Sequence, residues 1–247
     1  MSVKEVNTTK RCPIVLCLDI SPSMKINNRI KNLNKAVEVL LKELEKDNKT
    51  KNSAEVTVVT FSTDITVVSN DFEPVSFWKG KTFEPVESGG TNMSPAILTS
   101  IELLENRLKE LDDAEIEQYI PFLVLVTDGD PDEIDDKQIQ EKAINALQTH
   151  CKETPLIAPF IIGVGEQVAE NLLDRYAENF TRKAIILDGE KQSVDFVQLF
   201  TFIGKSIQNS LKGENDLGAL YERIRGEVKK ETHRIEEIRK NRQHKRM

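Results

Sequence analysis

Apolar residues follow two different periods along most of the chain. Short continuous or β-branched apolar runs, typical of buried strands, alternate with segments in which apolar residues recur every three or four positions, as on one helix face. The predicted strands cover residues 13–20, 54–61, 65–68, 120–126, 156–164 and 184–187. The predicted helices cover residues 26–44, 94–111, 136–151, 168–177 and 194–211.

This alternation predicts an α/β fold. We expect a doubly wound, Rossmann-like, mainly parallel six-stranded sheet with helices on both faces. The run at 65–68 follows the run at 54–61 after a short Ser-Thr-Asp turn, so we predict that it forms one antiparallel edge strand. Residues 46–53 are expected to be a polar connection, and residues 69–90 an irregular stretch whose aromatic side chains pack within the loop.

The pattern changes near residue 212. We therefore divide the chain into a domain at 1–211 and a C-terminal extension at 212–247. The extension is strongly charged, and its apolar residues fall at alternating four- and three-residue steps, which predicts an amphipathic helix with a narrow apolar seam. That seam can pack on its own domain, on a second copy of the chain, or on another protein.

Composition narrows the class of protein. The chain has 247 residues, is 38% hydrophobic and carries a formal charge of −7, which allows a sizeable core and argues against a general nucleic-acid binder. We expect no membrane association, since no segment approaches the roughly 18 apolar residues of a membrane span and the N-terminus lacks a signal peptide's apolar stretch. The three cysteines form neither a CxxC pair nor a disulfide framework, which favours a reducing, cytoplasmic location.

Polar oxygen atoms cluster where predicted strands end. Asp19, Ser21 and Ser23 follow the first strand, Thr91 opens a helix after two glycines, and Asp128 follows the strand at 120–126. Open α/β sheets bind ligands at this edge. Carboxylate and hydroxyl oxygens suit hard cations, so we predict a site for Mg²⁺, with Mn²⁺ or Ca²⁺ as alternatives.

Three motifs resemble a known site. Residues 19–23 (DISPS), 89–92 (GGTN) and 127–132 (TDGDPD) resemble, in order and spacing, the metal-ion-dependent adhesion site of von Willebrand factor type A domains. The resemblance covers about residues 10–211. It is greatest to the bacterial stand-alone members of the TerY type, which are associated with tellurite resistance and stress loci.

The resemblance implies a role for each residue. Ser21 and Ser23 would ligate the cation directly, and Thr91 directly or through water. Asp19 and Asp128 would act mainly through water and orient the other ligands. An aspartate or glutamate of a partner protein would complete the coordination. One position departs from the family pattern: Pro22 stands where glycine is usual, and it would stiffen the loop and steer Ser21 away from the helical region.

Each motif also has a simpler interpretation. A lone Asp-x-Ser-x-Ser segment is common as a helix N-cap. The acids at 128, 130 and 132 resemble the start of an EF-hand loop, but the required glycine and final glutamate are absent. Without an EF-hand, the acidic residues between 130 and 136 are interpreted as a solvated rim beside the site. The Gly-Val-Gly segment at 163–165 lacks the third small residue of a dinucleotide fingerprint.

Three functions remain open at this point. The first is a cytoplasmic, non-enzymatic module that binds a partner's carboxylate through a cation. The second is a metal-dependent phosphohydrolase with Asp19 as the nucleophile; it lacks the usual second acid, since Ser21 stands two residues later. The third is an oligomeric scaffold with a vestigial metal site.

Overall fold

The structure is a computed structural model that describes most of the chain. The described residues are 9–69, 71–129, 137–152, 156–165, 170–178, 180–181, 183–187 and 192–213, with isolated positions between 222 and 241. None of the helices in these segments is long and apolar enough to span a membrane.

In the part of the chain that the structure describes, seven strands form one sheet. The strands are β1 (Cys12–Asp19), β2 (Ala54–Phe61), β3 (Ile65–Val67), β4 (Glu73–Pro74), β5 (Phe122–Thr127), β6 (Ala158–Val164) and β7 (Ile185–Leu187). Their order is β3-β2-β1-β5-β6-β7, and β4 also pairs with β2. The pairs among β2, β1, β5, β6 and β7 are parallel, whereas β3 and β4 run antiparallel to β2. The predicted α/β class is confirmed, and the two-residue β4 is an addition to the six predicted strands.

Helices cover both faces of the sheet. They are α1 (Arg29–Glu45), α2 (Asn48–Ser53), α3 (Met93–Asp113), α4 (Lys137–His150), α5 (Glu170–Ala177) and α6 (Gln192–Lys212). Alternate residues of β1 divide between two cores. Leu16 belongs to the core that includes α1 and α6, and Cys17 belongs to the core that includes α3, α4 and α5. All eight residues of β1 are buried, which explains why this strand is a continuous apolar run in the sequence.

Three local predictions need correction. The segment 46–53, expected to be a polar connection, contains α2, whose N-cap Asp47 accepts a hydrogen bond from the Thr50 N–H. The stretch 69–90, expected to be irregular, contains β4 and a 3₁₀ helix at Val75–Trp78. The first helix was predicted to begin near residue 26, but a 3₁₀ helix occupies Pro22–Asn28 and the α-helix begins at Arg29.

Two aromatic residues of this stretch, predicted to pack within the loop, belong instead to the core that includes α1 and α6. Trp78 is buried and its indole N–H donates a 2.9 Å hydrogen bond to the Val56 carbonyl of β2. Phe83 is also buried, and its backbone exchanges two hydrogen bonds with the side chain of Asn34 on α1. Phe77 differs, since it is 42% exposed.

The C-terminal extension is described at scattered positions, and these are helical. Ile235 packs against the core that includes α1 and α6, and Arg223 donates a 2.7 Å hydrogen bond to the Asn209 carbonyl. The other predicted seam residues, Leu217, Tyr221, Ile224, Val228 and Ile238, lie outside the described residues. At these two points, then, the extension contacts its own domain.

Candidate functional site

The candidate site lies at the carboxyl edge of the sheet. Asp19 ends β1, and Asp128 directly follows β5. The two strands are parallel neighbours, with Leu18 paired to Val126. Parallel neighbours bring their carboxyl ends to the same edge, which places the two aspartates beside each other although more than a hundred residues separate them in sequence.

Hydrogen bonds join the first loop to the third. The hydroxyl oxygens of Ser21 and Ser23 lie 2.9 Å apart, and the Ser23 hydroxyl donates a 2.7 Å hydrogen bond to Asp128 Oδ1. Ser21 is buried and Asp128 is 3% exposed. Two hydroxyls and one carboxylate oxygen therefore form one continuous hydrogen-bonded group of oxygen atoms at the strand ends.

Asp19 lies beneath this group and is fully buried. Its Oδ1 accepts a 2.8 Å hydrogen bond from the Ser21 N–H, and its Oδ2 accepts a 2.7 Å bond from the Thr127 hydroxyl. Burial and the nearby Asp128 carboxylate raise the pKa of Asp19 to about 6, although the hydrogen bonds from Ser21 and Thr127 oppose this shift. Asp19 thus shapes the loop and adds negative charge to the site without presenting a free oxygen to solvent.

The Thr91 loop is held against the turn that follows β2. The Gly90 N–H donates a 2.6 Å hydrogen bond to the Thr63 hydroxyl, and the Asn92 N–H donates a 2.7 Å bond to the Ser62 carbonyl. Gly89 has a φ of +141°, and a Cβ at that position would lie 2.9 Å from the Thr63 hydroxyl oxygen, so only glycine fits there. The threonine itself is 6% exposed.

Thr91 lies next to the third loop. Its hydroxyl oxygen is 3.5 Å from the position that a Cβ on Gly129 would take. Gly129 directly follows Asp128, so the second and third motifs meet at this edge. The assignment of Asp19, Ser21, Ser23, Thr91 and Asp128 as the cation site stays a prediction. Within the described residues, Ser23 contacts Asp128 and Thr91 lies next to Gly129.

Pro22 is accommodated by the local geometry. It occupies the first turn of the 3₁₀ helix, where a missing N–H costs little. Ser21 has φ −59° and ψ 162°, the extended conformation that a following proline favours. Met24 is fully buried and its N–H donates to the Ser21 carbonyl, which anchors the loop.

Sequence reasoning missed one residue of the site. Arg29, the first residue of α1, lies with its Nη1 2.7 Å from Asp128 Oδ2. Both side chains are largely buried, with exposures of 12% and 0%. A single arginine at a helix start is ordinarily a surface residue, so the sequence carried no signal that distinguished it. The predicted acidic rim between residues 130 and 136 lies outside the described residues.

The donor set fits a hard divalent cation. Within the described segments no three His, Cys, Asp or Glu side chains cluster as metal ligands, because this set relies on hydroxyls as much as on carboxylates. Two carboxylates with three hydroxyls supply only oxygen, which Mg²⁺, Mn²⁺ and Ca²⁺ prefer. Few carboxylates also leave a bound cation partly uncompensated and able to accept another anionic ligand.

Comparison with known proteins identifies the family. The sequence model of the von Willebrand factor type A domain matches residues 14–198. The chain belongs to this family. Among curated proteins, none matches.

Solved structures show the same fold at low identity. A von Willebrand factor type A protein from Catenulispora acidiphila is 18% identical, with a TM-score of 0.59 over 80% of this chain and 43% of that one. BatB from Bacteroides thetaiotaomicron is 16% identical, with a TM-score of 0.57 over 82% of this chain and 100% of that one. Proximal thread matrix protein 1 from the mussel byssus, described with a zinc-occupied MIDAS motif, is 17% identical, with a TM-score of 0.58 over 80% of this chain and 46% of that one. The chain thus spans less than half the length of two of these proteins.

Proposed function

We propose that this von Willebrand factor type A domain binds an acidic side chain of a partner protein through a divalent cation. Asp19, Ser21, Ser23, Thr91 and Asp128 would hold the cation. The observation that carries the proposal is the hydrogen-bonded group Ser21–Ser23–Asp128, which unites two distant loops. Mg²⁺ is the first candidate; Mn²⁺ and Ca²⁺ have similar oxygen preferences, and Zn²⁺ is described in the MIDAS motif of the mussel protein.

When bound, the cation would supply a positive centre for a carboxylate oxygen. The chain's own residues then do the remaining work. The Ser21 and Ser23 hydroxyls, which lie 2.9 Å apart, and the Thr91 hydroxyl would supply oxygen ligands, and Asp19 holds the Ser21 backbone through its N–H. We further propose that the partner belongs to a stress-response or tellurite-resistance-like assembly in the cytoplasm, as in the TerY-type proteins that the motifs resemble.

The environment of Asp19 favours binding over hydrolysis. A phosphohydrolase of the alternative type would need a carboxylate oxygen free to attack phosphorus. Both oxygens of Asp19 accept hydrogen bonds, and the side chain is fully buried. We therefore propose a non-enzymatic role, and p-nitrophenyl phosphate should not be hydrolysed in the presence of Mg²⁺.

Thermal unfolding with and without cations tests the metal site. At a cation concentration about 100-fold above Kd, mass action adds about 2.7 kcal/mol, or about 5–10 °C for a chain of this size. Ser23→Ala should remove most of that shift. Ser210→Ala is the control, because it removes a serine hydroxyl that lies on α6, is fully buried and donates to the Ile207 carbonyl. An absence of any shift in the native chain with Mg²⁺, Mn²⁺, Ca²⁺ and Zn²⁺ would contradict the proposal.

A capture experiment tests the partner. Proteins that co-purify with the native chain should dissociate in EDTA and should be lost from Ser23→Ala, whereas Ser210→Ala should retain them. Partners that bind the Ser23 variant and the EDTA-treated chain equally well would show that binding does not use the cation.

A further inference from the structure

Arg29 enters the cation site from a direction that the three motifs do not predict. Its guanidinium contacts Asp128 Oδ2, while the other oxygen of the same carboxylate accepts the Ser23 hydroxyl. The Nε of Arg29 is buried and has no hydrogen-bond partner within the described segments. Among the described residues the guanidinium therefore contacts Asp128 through Nη1 while its Nε stays unsatisfied, unlike an arginine in a bidentate clamp.

The backbone around Arg29 is arranged to admit its side chain. Gly165, which follows β6 and has a φ of +111°, faces the guanidinium. A Cβ at that position would lie 2.5 Å from Arg29 Nη2 and 3.0 Å from Cζ, so with any larger residue the guanidinium would have to shift from this position. Asn27 and Asn28, directly before Arg29, both have left-handed φ values of 51° and 57°. The two left-handed residues turn the chain between the loop at residues 19–23 and α1. Gly165, which has no side chain, leaves space for the arginine.

Charge explains what this arrangement does. Two buried carboxylates would by themselves leave the site doubly negative. Arg29 carries a permanent positive charge, so the site retains a single negative charge before a cation enters. With a divalent cation bound, the site would carry one net positive charge. Without Arg29, the same loaded site would be neutral.

We propose that Arg29 is a built-in counter-ion of the cation site, which weakens divalent-cation binding and leaves the loaded site positive toward an anionic ligand. The inference rests on the proposed function, because it concerns the same site. Arg29 stabilises Asp128 when no cation is bound and repels the cation when one enters. The loaded site then attracts a partner carboxylate more strongly than the oxygen ligands alone would allow.

Mn²⁺ titration followed by the paramagnetic resonance signal of free Mn²⁺ tests the proposal on the full chain. A single and a double charge about 6 Å apart repel enough, even with the screening of bulk water, to change a binding constant about tenfold. Arg29→Gln should therefore bind Mn²⁺ about tenfold more tightly than the native chain. Arg29→Lys keeps the charge and should bind within about threefold of native.

A second readout separates a charge effect from general damage. In EDTA, Arg29→Gln should melt at a lower temperature than native, because Asp128 is left as an unpaired buried carboxylate, and Mn²⁺ should raise its melting temperature by more than it raises that of the native chain. Arg107→Gln is the matched control. It breaks another largely buried arginine–carboxylate pair, with Glu55 near the amino end of β2, and should leave Mn²⁺ affinity unchanged.

The outcomes distinguish the two proposals. Equal Mn²⁺ affinity in native and Arg29→Gln overturns the counter-ion role and leaves the proposed function standing. Weaker binding in Arg29→Gln also overturns it, since Arg29 would then assist the cation. If Arg29→Lys behaves like Arg29→Gln, charge is not the cause and the inference is wrong. If neither native nor Arg29→Gln binds Mn²⁺, both proposals are overturned.

Discussion

Two arginine–carboxylate pairs lie toward opposite ends of the sheet and differ in how completely they satisfy each other. Near the amino end, Arg107 of α3 holds both oxygens of Glu55 through its Nε and Nη2, at 2.7 and 2.8 Å. It also contacts Glu110, and these carboxylates raise the pKa of its guanidinium. At the carboxyl end, Arg29 reaches one oxygen of Asp128, and the other oxygen bonds Ser23.

The comparison shows how the same pair of groups can serve two purposes. A bidentate pair uses up the acceptors of its carboxylate and fixes two elements together. A single contact leaves the carboxylate shared among several loops, so it can respond to another cation. We therefore interpret the Arg107–Glu55 pair as structural and the Arg29–Asp128 pair as part of the binding site.

The largest expected loss of stability comes from breaking the Arg107–Glu55 pair. Arg107→Gln leaves the Glu55 carboxylate, whose side chain is 6% exposed, without its charged partner. Loss of one member of such a pair costs about 3 kcal/mol, less than for a fully enclosed pair because Arg107 is partly exposed to solvent. Urea denaturation should show this loss, and the midpoint increase caused by Mn²⁺ should match that of the native chain. A loss below about 1 kcal/mol would mean that the pair is solvated rather than structural.

A smaller effect is expected at Gly165. Gly165→Ala combines a positive φ with the contact to Arg29, and we expect a loss of about 2 kcal/mol in urea denaturation. Gly226→Ala is the control, since among the described residues nothing outside its own stretch of helix lies within 4 Å of its Cβ position, and it should be neutral or slightly stabilising.

The Gly165 variant sharpens the comparison when combined with Arg29→Ala. Arg29→Ala removes the guanidinium that the new methyl group would meet. In the Arg29→Ala background, Gly165→Ala should therefore cost roughly half of the stability that it costs in the native chain, and that remaining half is backbone strain. Strict additivity of the two changes would show that Gly165 does not serve Arg29.

The smallest of these effects is the pH dependence from Asp19. Its pKa is raised to about 6 in the folded chain from an ordinary value of 3.8. The stabilisation from this group is therefore fully present below about pH 4 and is lost as pH rises through about 6. In EDTA, the native chain should gain about 1 kcal/mol between pH 7 and pH 5 relative to Asp19→Asn. Arg107→Gln should keep this gain, and a native pH profile that coincides with that of Asp19→Asn would refute the assignment.

Much of the fold could be predicted from the sequence because the central strands are buried on both faces. The run at 13–20 has no polar residue before Asp19, which is typical of a strand inside a sheet covered on both faces. In contrast, α2 consists of the six polar residues Asn48–Ser53 and is held by the Asp47 cap, so apolar periodicity could not reveal it. Strand β4 has two residues, one of them proline, and forms only through pairing with β2.

The candidate site was predictable to the extent that its motifs are local. Asp19, Ser21 and Ser23 are close in sequence, and parallel topology explains how Asp128 joins them. Arg29 was not predictable, because its placement depends on the left-handed pair before it and on Gly165, which is distant in sequence.

The most direct test of the central claim is anomalous diffraction from a crystal of the full chain soaked with Mn²⁺. The account predicts a manganese peak at the carboxyl edge of the sheet, within about 2.3 Å of the Ser21 and Ser23 hydroxyl oxygens, and its loss in crystals of Ser23→Ala. A peak only elsewhere on the chain, or none at this edge under saturating Mn²⁺, would contradict a cation site built from these three loops.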